Sequence, residues 1–321
     1  MDLVSFAQAS RVKILIGKGG VGKTTMTCAL ARALSGEGLH VLIVELEGRP
    51  EVPRAFGREE GIDYDGSLLH HDASGGTVTA RRVTPDEALL EYLADRSLGK
   101  LSRRLITSGV LDVVSGAIPG IKEVLLLGKI KQIANEASVD VVLVDAPATG
   151  HAVSMLTSPA GVASVARTGP VQEQAQQVVE LLADPRRCSV LLVTIPEELP
   201  VTEAIDAAYA VEDRTGVALG PVLCNLVDTA SVSLSRPAAG AARDASIALD
   251  PDLERALDDA ATFQRHRAED ASAQLGRLRH DLPLPVIELP RLTTPAIGPL
   301  ELEALARGIS EGFASLGDVT S

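Results

Sequence analysis

The chain has few of the residues that would link it to nucleic acids, membranes or an oxidising compartment. It contains no tryptophan, only 2% of its residues are aromatic, and its net charge is −13. Nucleic-acid binding needs a basic surface, and single strands are held by stacked aromatic rings, so no nucleic-acid partner is expected. No apolar run reaches the roughly 18 residues of a transmembrane helix, and no signal peptide is visible. These absences predict a soluble, cytoplasmic protein.

Cysteine is also scarce and scattered. The three cysteines are Cys28, Cys188 and Cys224, and none belongs to a C-x-x-C pair. Thiols so far apart in sequence do not form the pattern of a disulfide framework or a zinc knuckle. A metalloid site would likewise need several thiolates. We therefore expect no zinc or metalloid site and interpret the cysteines as small buried residues.

What the sequence does contain is an alternation of short apolar runs with helical patterns. The runs lie at residues 12–16, 41–44, 139–144, 190–195 and 222–226, with less certain ones at 77–83 and 286–289. This alternation predicts an α/β fold, a doubly wound and mostly parallel sheet, in a single domain over residues 10–321. Between the strands we expect an inserted helical subdomain at 84–137, which starts at Thr84 and Pro85, and a loop with a helix at 229–282.

The most informative segment is the glycine-rich run Gly17-Lys18-Gly19-Gly20-Val21-Gly22-Lys23-Thr24-Thr25. It follows a predicted buried strand and precedes a predicted helix, and it matches G-x-x-x-x-G-K-[ST], so it predicts a phosphate-binding P-loop. Its glycines let backbone N–H groups face phosphate oxygens, and the helix N-terminus adds partial positive charge. Lys23 would reach the β- and γ-phosphates, and the Thr24 hydroxyl would bind Mg²⁺. A plain glycine-rich turn is disfavoured because motif and context both match.

A second lysine, Lys18, directly follows the first glycine and gives the pattern K-G-G-x-G-K-T-T. This pattern resembles the deviant Walker A motif of the ATPase family that includes nitrogenase iron protein, MinD, ParA and ArsA. The resemblance implies that Lys18 crosses a dimer interface to the partner's nucleotide, where it would neutralise charge as an arginine finger does. It therefore also implies a nucleotide-bridged dimer. The alternative for Lys18 is a solvated loop lysine.

A second motif follows the strand predicted at residues 139–144. It reads Asp145-Ala146-Pro147-Ala148-Thr149-Gly150-His151. It resembles the switch II motif D-T-A-P-T-G-H of the ArsA-type ATPases, with the inner proline shifted. The resemblance implies that Asp145 acts on the Mg²⁺ shell and that Gly150 lets the segment move when a γ-phosphate is present. His151 is either part of this switch or an ordinary surface histidine.

The water-positioning residue of such ATPases should follow the second strand. In the relatives this place reads S-T-D-P-A-H, whereas here it reads Glu45-Leu46-Glu47-Gly48-Arg49-Pro50. Glu47 therefore takes the place of the aspartate as the candidate for catalysis and for the metal shell. Its carboxylate can accept a hydrogen bond from water but lies one methylene further out, which puts efficient hydrolysis in doubt. Otherwise Glu47 is an outer ligand of Mg²⁺ or an exposed acid, and Glu45 and Glu51 are the other candidates.

Two residues are candidates for binding the base. Asn225 ends a predicted strand where the family's asparagine hydrogen-bonds adenine, and Pro290 falls near the family's adenine-flanking loop. Asn225 could equally be a turn residue at the end of its strand. A guanine-binding site of the small-GTPase type would show N-K-x-D, and the segment from Asn225 to Asp228 lacks the lysine. The ligands implied by the resemblance are thus ATP and Mg²⁺.

The resemblance implies an ATP-hydrolysing switch that couples nucleotide state to dimer closure and to a client, which could be a membrane protein. The segments Gly128-Lys129-Ile130-Lys131 and Gly169-Pro170-Val171 look most like the paired anion-transporting ATPase subunits of actinobacteria. The dimer would then be a homodimer or a heterodimer with a similar subunit. Apolar runs at 101–111 and 124–127 could line a client groove but are more simply core. The alternatives are a low-turnover nucleotide-sensing assembly module and a MinD- or ParA-like positioning ATPase.

Overall fold

The computed structural model describes residues 2–46, 50–95, 119–166, 168–228 and 236–318. Glu47 lies outside these ranges, as do the apolar run at 101–111 and the beginning of the loop expected from residue 229. The structural statements that follow concern the described residues.

A single mixed sheet organises the fold. Its strands are β1 (Val12–Gly17), β2 (His40–Glu45), β3 (Ser67–His71), β4 (Thr77–Arg82), β5 (Val141–Ala148), β6 (Cys188–Thr194), β7 (Ala218–Leu219), β8 (Val222–Val227) and β9 (Val286–Pro290). They lie in the order β3-β4-β2-β5-β1-β6-β8-β9, and the short β7 pairs with β6. Every pairing is parallel except that of β3 with β4. The prediction of a doubly wound, mostly parallel α/β sheet is confirmed.

Helices cover both faces of this sheet. They are α1 (Leu3–Ala9), α2 (Lys23–Gly36), α3 (Glu51–Ala55), α4 (Pro85–Asp95), α5 (Ile121–Ile133), α6 (Thr149–Val165), α7 (Pro170–Ala183), α8 (Glu198–Thr215), α9 (Ala238–Asp244), α10 (Pro251–Asp281) and α11 (Pro299–Asp318). In β1, Leu15 belongs to the core shared with α2 and α11, whereas Ile14 and Ile16 belong to the core shared with α5 and α6. Strands buried on both faces are apolar throughout, which is why they were predictable.

The helix α1, which precedes residue 10, packs into the first of these cores through Leu3, Phe6 and Ala7. The rings of Phe6 in α1 and Phe313 in α11 lie 4.5 Å apart. Lys13 of β1 is fully buried, and its ammonium donates to the Ser10 carbonyl oxygen at 2.7 Å and to the Ser10 hydroxyl at 2.9 Å. Burial lowers the pKa of Lys13 to about 7. The last carbonyls of a helix lack partners within it, so these hydrogen bonds from Lys13 at the C-terminal end of α1 fasten the helix to the sheet.

The chain between β4 and β5 is helical in both of its described parts. Thr84 caps α4 as expected, since the Glu87 amide donates to the Thr84 hydroxyl at 3.3 Å and that hydroxyl donates to the Glu87 carboxylate at 2.7 Å. In α5, Ile130 and Ile133 are buried, but Ala137 lies beyond the helix end and is exposed. The extent of a subdomain over residues 84–137 stays a prediction, since 96–118 lie outside the described ranges.

The helix α10 lies at the β8–β9 side of the sheet. It buries Ala268, Ala271, Leu275 and Leu278, all in its C-terminal half. Leu275 packs against Cys224 of β8. Within the described ranges, no helix is both long enough and apolar enough to cross a bilayer.

Candidate functional site

The glycine-rich loop joins the C-terminal end of β1 to the start of α2. A Cβ at Gly17 would lie only 2.1 Å from the Val193 carbonyl oxygen of β6. Gly20 and Gly22 each have a φ of 89°, a left-handed conformation that favours glycine. The loop conformation therefore depends on glycine at these positions.

The first turn of α2 presents groups that suit a phosphate. Its N-cap is Gly22, so no side chain caps the first N–H groups of the helix. Such N–H groups, together with the helix dipole, form an anion-binding site. Lys23 is buried at 7% exposure, and its ammonium donates to the Lys18 carbonyl oxygen at 3.3 Å. The structure therefore holds the predicted phosphate-binding lysine at the loop.

Two predicted metal-binding residues meet beside this loop. The Thr24 hydroxyl in α2 donates to Asp145 Oδ2 of β5 at 2.7 Å. Asp145 is buried, and Glu45 of the neighbouring strand β2 is its register partner and is buried as well. Burial first, and then the charges of Asp145 and Glu45, raise the pKa of the Cys28 thiol in α2. Both carboxylates therefore face α2 at the carboxyl edge of the sheet.

This set of donors fits Mg²⁺. Hydroxyl and carboxylate oxygens are hard ligands, which Mg²⁺ prefers, and Mg²⁺ sites commonly combine one or two carboxylates with phosphates of the substrate. The Thr24 hydroxyl and Asp145 Oδ2 are hydrogen-bonded to each other, so a single ion could bind both oxygens, either directly or through water. Glu45 would add negative charge nearby.

Lys18 is engaged within its own subunit. Its ammonium donates to Glu203 Oε1 of α8 at 2.5 Å, and the side chains are 29% and 35% exposed. Glu203 lies 185 positions further along the chain than Lys18, so no local pattern suggested this pairing. A lysine that reached a second subunit would have to leave Glu203.

Asn225 of β8 braces the glycine loop. Its Nδ2 donates to the Val21 carbonyl oxygen at 3.1 Å, and a Cβ at Gly22 would lie 2.5 Å from the same nitrogen. Asn225 is buried, and its amide still offers a second N–H and an oxygen to a ligand. Pro290 ends β9, is exposed, and pairs in register with Val227 of β8. Of the two predicted base-binding residues, Pro290 thus ends β9, whereas Asn225 lies within β8, two positions before the end of that strand.

The segment that resembles switch II runs from Asp145 in β5 into the start of α6. The Thr149 hydroxyl oxygen is buried and has no hydrogen-bond partner among the described residues. A buried hydroxyl without a partner suits a ligand oxygen. Gly150 and His151 are exposed in the first turn of α6. Of the other acids considered for switch I, Glu51 is exposed at the start of α3.

The three cysteines lie on different elements, Cys28 in α2, Cys188 in β6 and Cys224 in β8, and all are buried. Burial raises the pKa of Cys188 and of Cys224 to about 12. These thiols are therefore protonated at neutral pH, and structural buried cysteines of this kind are inert.

An ion-pair cluster next to Asn225 was missed by sequence reasoning. Asp228 accepts from Arg291 Nε at 3.0 Å and from Arg267 Nη2 at 2.8 Å. In the sequence, Asn225 and Asp228 have the spacing of the guanine-binding motif N-K-x-D, but the segment lacks the lysine of that motif. The two arginines lie 39 and 63 positions further along the chain, so no local pattern could have revealed the pairing.

The mostly parallel sheet, the glycine loop and the strand-end aspartate define an α/β protein of the P-loop NTPase class. Residues 10–168 match the family described as anion-transporting ATPase. The chain is 36% identical over 204 residues to the ATPase BagA of Mycobacterium tuberculosis, across 61% of this chain and 59% of that protein. Residues 10–168, just under half of the chain, are therefore similar to the ArsA-type family of P-loop ATPases.

More distant relatives carry other names. The arsenical pump-driving ATPase of Escherichia coli is 28% identical over 198 residues, which cover 55% of this chain and 33% of that protein. The ATPase get3 of Schizosaccharomyces japonicus is 29% identical over 143 residues, which cover 44% of this chain and 42% of that protein. The chain thus matches less than two thirds of the length of each of these relatives.

Proposed function

We propose that this chain binds ATP together with Mg²⁺ at the glycine loop and hydrolyses it. The observation that carries this proposal is the 2.7 Å hydrogen bond between the Thr24 hydroxyl and Asp145 Oδ2. It brings the end of the P-loop motif to the end of β5, where a P-loop ATPase needs an oxygen ligand for its ion. The family match supports the same chemistry.

The residues take distinct parts in this proposal. The backbone N–H groups from Gly19 to Thr25 hold the phosphates, and Lys23 neutralises their charge. Thr24 and Asp145 would hold Mg²⁺, and the ion would supply positive charge that offsets the negative charge developing on the phosphates during transfer. Glu47 positions the attacking water and accepts its hydrogen bond.

The proposed output is a change in a dimer. Lys18 leaves Glu203 and reaches the nucleotide of a partner, which is either a second copy or a similar ATPase subunit. Because the Lys18 ammonium is paired with Glu203 within its own subunit, this exchange requires the ion pair to open when the dimer forms. Dimer closure would then change the binding or the state of a client protein, which could be a membrane protein.

A second candidate function is a nucleotide-sensing module that turns over slowly. The same ion pair favours it, since a Lys18 held by Glu203 within one subunit is withdrawn from any partner. In this case the stable ATP-bound complex, and not hydrolysis, would be the output.

Phosphate release from ATP in the presence of Mg²⁺, measured as the rate per subunit at increasing protein concentration, tests the proposal. The expected result is a rate that rises with concentration, is lost in Lys18→Ala and is kept in Lys131→Ala, a control on the surface of α5. Tight ATP binding without turnover would favour the sensor or the need for a similar subunit. A chain that binds no ATP would overturn the proposal.

Mixing two inactive variants tests the crossing lysine. In a mixed dimer, the Lys18→Ala subunit keeps Lys23 in its own site and would receive Lys18 from a Lys23→Ala subunit. Recovery of phosphate release on mixing is expected if Lys18 acts across the interface. If Lys18 acts within its own subunit, the mixture stays as inactive as its parts.

A further inference from the structure

Asp228 directly follows β8 and lies three positions after Asn225, at the edge of the sheet that carries the glycine loop. Asn225 touches that loop at Val21, and three residues span at most about 10 Å. Asp228 therefore lies close to any ligand that extends from the loop toward β8.

The order of the strands gives the direction in which a nucleotide would extend. Asp145, the proposed metal ligand, is on β5, which borders β1 on one side, whereas β6 and then β8 lie on the other. If the terminal phosphate lies beside Asp145, the sugar and base would extend toward the C-terminal ends of β8 and β9. This is where Asn225, Asp228 and Pro290 are found.

The carboxylate of Asp228 is occupied on more than one side. Arg291 Nε donates to Oδ1 at 3.0 Å and to Oδ2 at 3.1 Å, and Arg267 Nη2 donates to Oδ2 at 2.8 Å. The Asp228 side chain is only 13% exposed, whereas each arginine is 33% exposed. The Arg291 amide also donates to the Val227 carbonyl oxygen at 3.1 Å, which fixes its position against β8.

A carboxylate in this place would distinguish purines if it were free. An ionised carboxylate only accepts hydrogen bonds, and guanine offers it two adjacent donors, the ring N1–H and the exocyclic amine. Adenine has an unprotonated ring nitrogen at the same position, so a free carboxylate would face a lone pair. A free Asp228 would thus favour guanine, whereas an Asp228 held by two arginines presents cationic donors instead.

We propose that Arg267 and Arg291 make the nucleotide site selective for adenine by occupying Asp228. This inference rests on the proposed binding of ATP at the glycine loop. The two arginines are specificity-determining residues, and they act through Asp228. A purely structural role, in which the pairs only fasten α10 and β9 to β8, makes a different prediction for the choice of purine.

The test is competition of ATP and of GTP against a fluorescent ATP analogue, with Mg²⁺ present. It is done on the full chain and on the double variant Arg267→Met/Arg291→Met, in which methionine keeps much of the apolar stem. The wild type should prefer ATP, and the double variant should lose about tenfold or more of that preference, the size of a well-made contact to a base edge. Adding Asp228→Asn to the double variant should restore the preference, because an amide lacks the second acceptor oxygen.

The matched control is Arg279→Met. Arg279 is also on α10 and pairs with Glu288 of β9, but it does not touch Asp228. It should leave the purine preference unchanged. If the double variant does not fold, as judged by thermal unfolding, the single variant Arg267→Met should shift the preference in the same direction by a smaller factor.

An unchanged preference in the folded double variant, or a wild type that binds ATP and GTP equally, would overturn the inference and leave the proposed ATPase intact. A wild type that binds neither nucleotide would overturn both. The failure of the inference and the failure of the proposed function are thereby distinguishable.

Discussion

The phosphate end and the base end of the candidate cleft are built in different ways. The phosphate end is one continuous loop whose shape depends on Gly17, Gly20 and Gly22 and on backbone N–H groups. The base end is assembled from strand ends and α10 through ion pairs such as Arg291 with Asp228. Backbone geometry allows few substitutions, whereas charged side chains can be exchanged one at a time. The proposed phosphate site therefore has a fixed backbone geometry, whereas the proposed base site depends on charged side chains that can be substituted individually.

The largest expected effect is at the phosphate end. Lys23→Ala removes the buried ammonium held at the loop, and ATP hydrolysis should fall by about 10²- to 10³-fold, as on loss of one group that stabilises the developing charge. Lys131→Ala, which removes a surface ammonium of α5, is the matched control. Equal rates for wild type and Lys23→Ala would contradict the assignment of the glycine loop as the phosphate site.

Two glycine substitutions test the claim that backbone geometry is decisive. Gly22→Ala forces a left-handed φ on alanine and places its Cβ 2.5 Å from Asn225 Nδ2, so we expect a loss of ATP affinity and about 1–3 kcal/mol of stability. At Gly19 a Cβ would meet nothing within 4 Å, so Gly19→Ala should change stability little. Urea unfolding and ATP titration check this pair. Similar losses at both positions would contradict the claim.

Lys13 is a buried lysine near the N-terminal end of β1, opposite the end that carries the glycine loop. Burial lowers the folded-state pKa of Lys13 from 10.5 to about 7, so between these values the unfolded chain binds more protons. Between about pH 7 and 8.5, below the range in which the three buried thiols ionise in the unfolded chain, the free energy of unfolding should therefore rise with pH, by at most about 1.4 kcal/mol per pH unit. Lys13→Met should remove this rise. Urea unfolding against pH measures it, and parallel curves for the two proteins would refute it.

The smallest expected effect concerns Glu203. Its ion pair with Lys18 is partly exposed, and such pairs contribute about 0–1 kcal/mol. Glu203→Gln should therefore raise phosphate release by at most about fivefold, because Lys18 is released for the partner. Glu212→Gln, on an exposed position of the same helix, is the control. A rate that falls in Glu203→Gln would mean that Glu203 itself assists the reaction.

The comparison also explains what could be predicted. The central strands were visible because both of their faces are buried, and the glycine loop because its chemistry is contained in one short run. The strand β3 was missed, since Ser67–His71 pairs antiparallel at the sheet edge and is only partly buried. The packing of α1 could not be predicted, because nothing local reveals that Phe6 packs on Phe313.

At the site, contacts within one sequence motif could be predicted, whereas contacts between distant elements could not. Lys23 and Thr24 belong to one motif, and Asp145 to another that ends a strand, so their roles could be proposed from sequence. The partner of Lys18 and the partners of Asp228 come from helices and strands far along the chain. Only the fold brings these charges together, because the partners of an ion pair have no characteristic separation in the sequence.

The most direct test of the phosphate end is the affinity for ATP measured with Mg²⁺ and again after the metal is chelated. Asp145→Asn is the comparison, since asparagine keeps an oxygen to accept the Thr24 hydroxyl but loses the charge that holds the ion. We predict that Mg²⁺ tightens ATP binding to the wild type and has little effect on Asp145→Asn. An ATP affinity that does not change on chelation, or an equal response of the two proteins, would contradict the site described here.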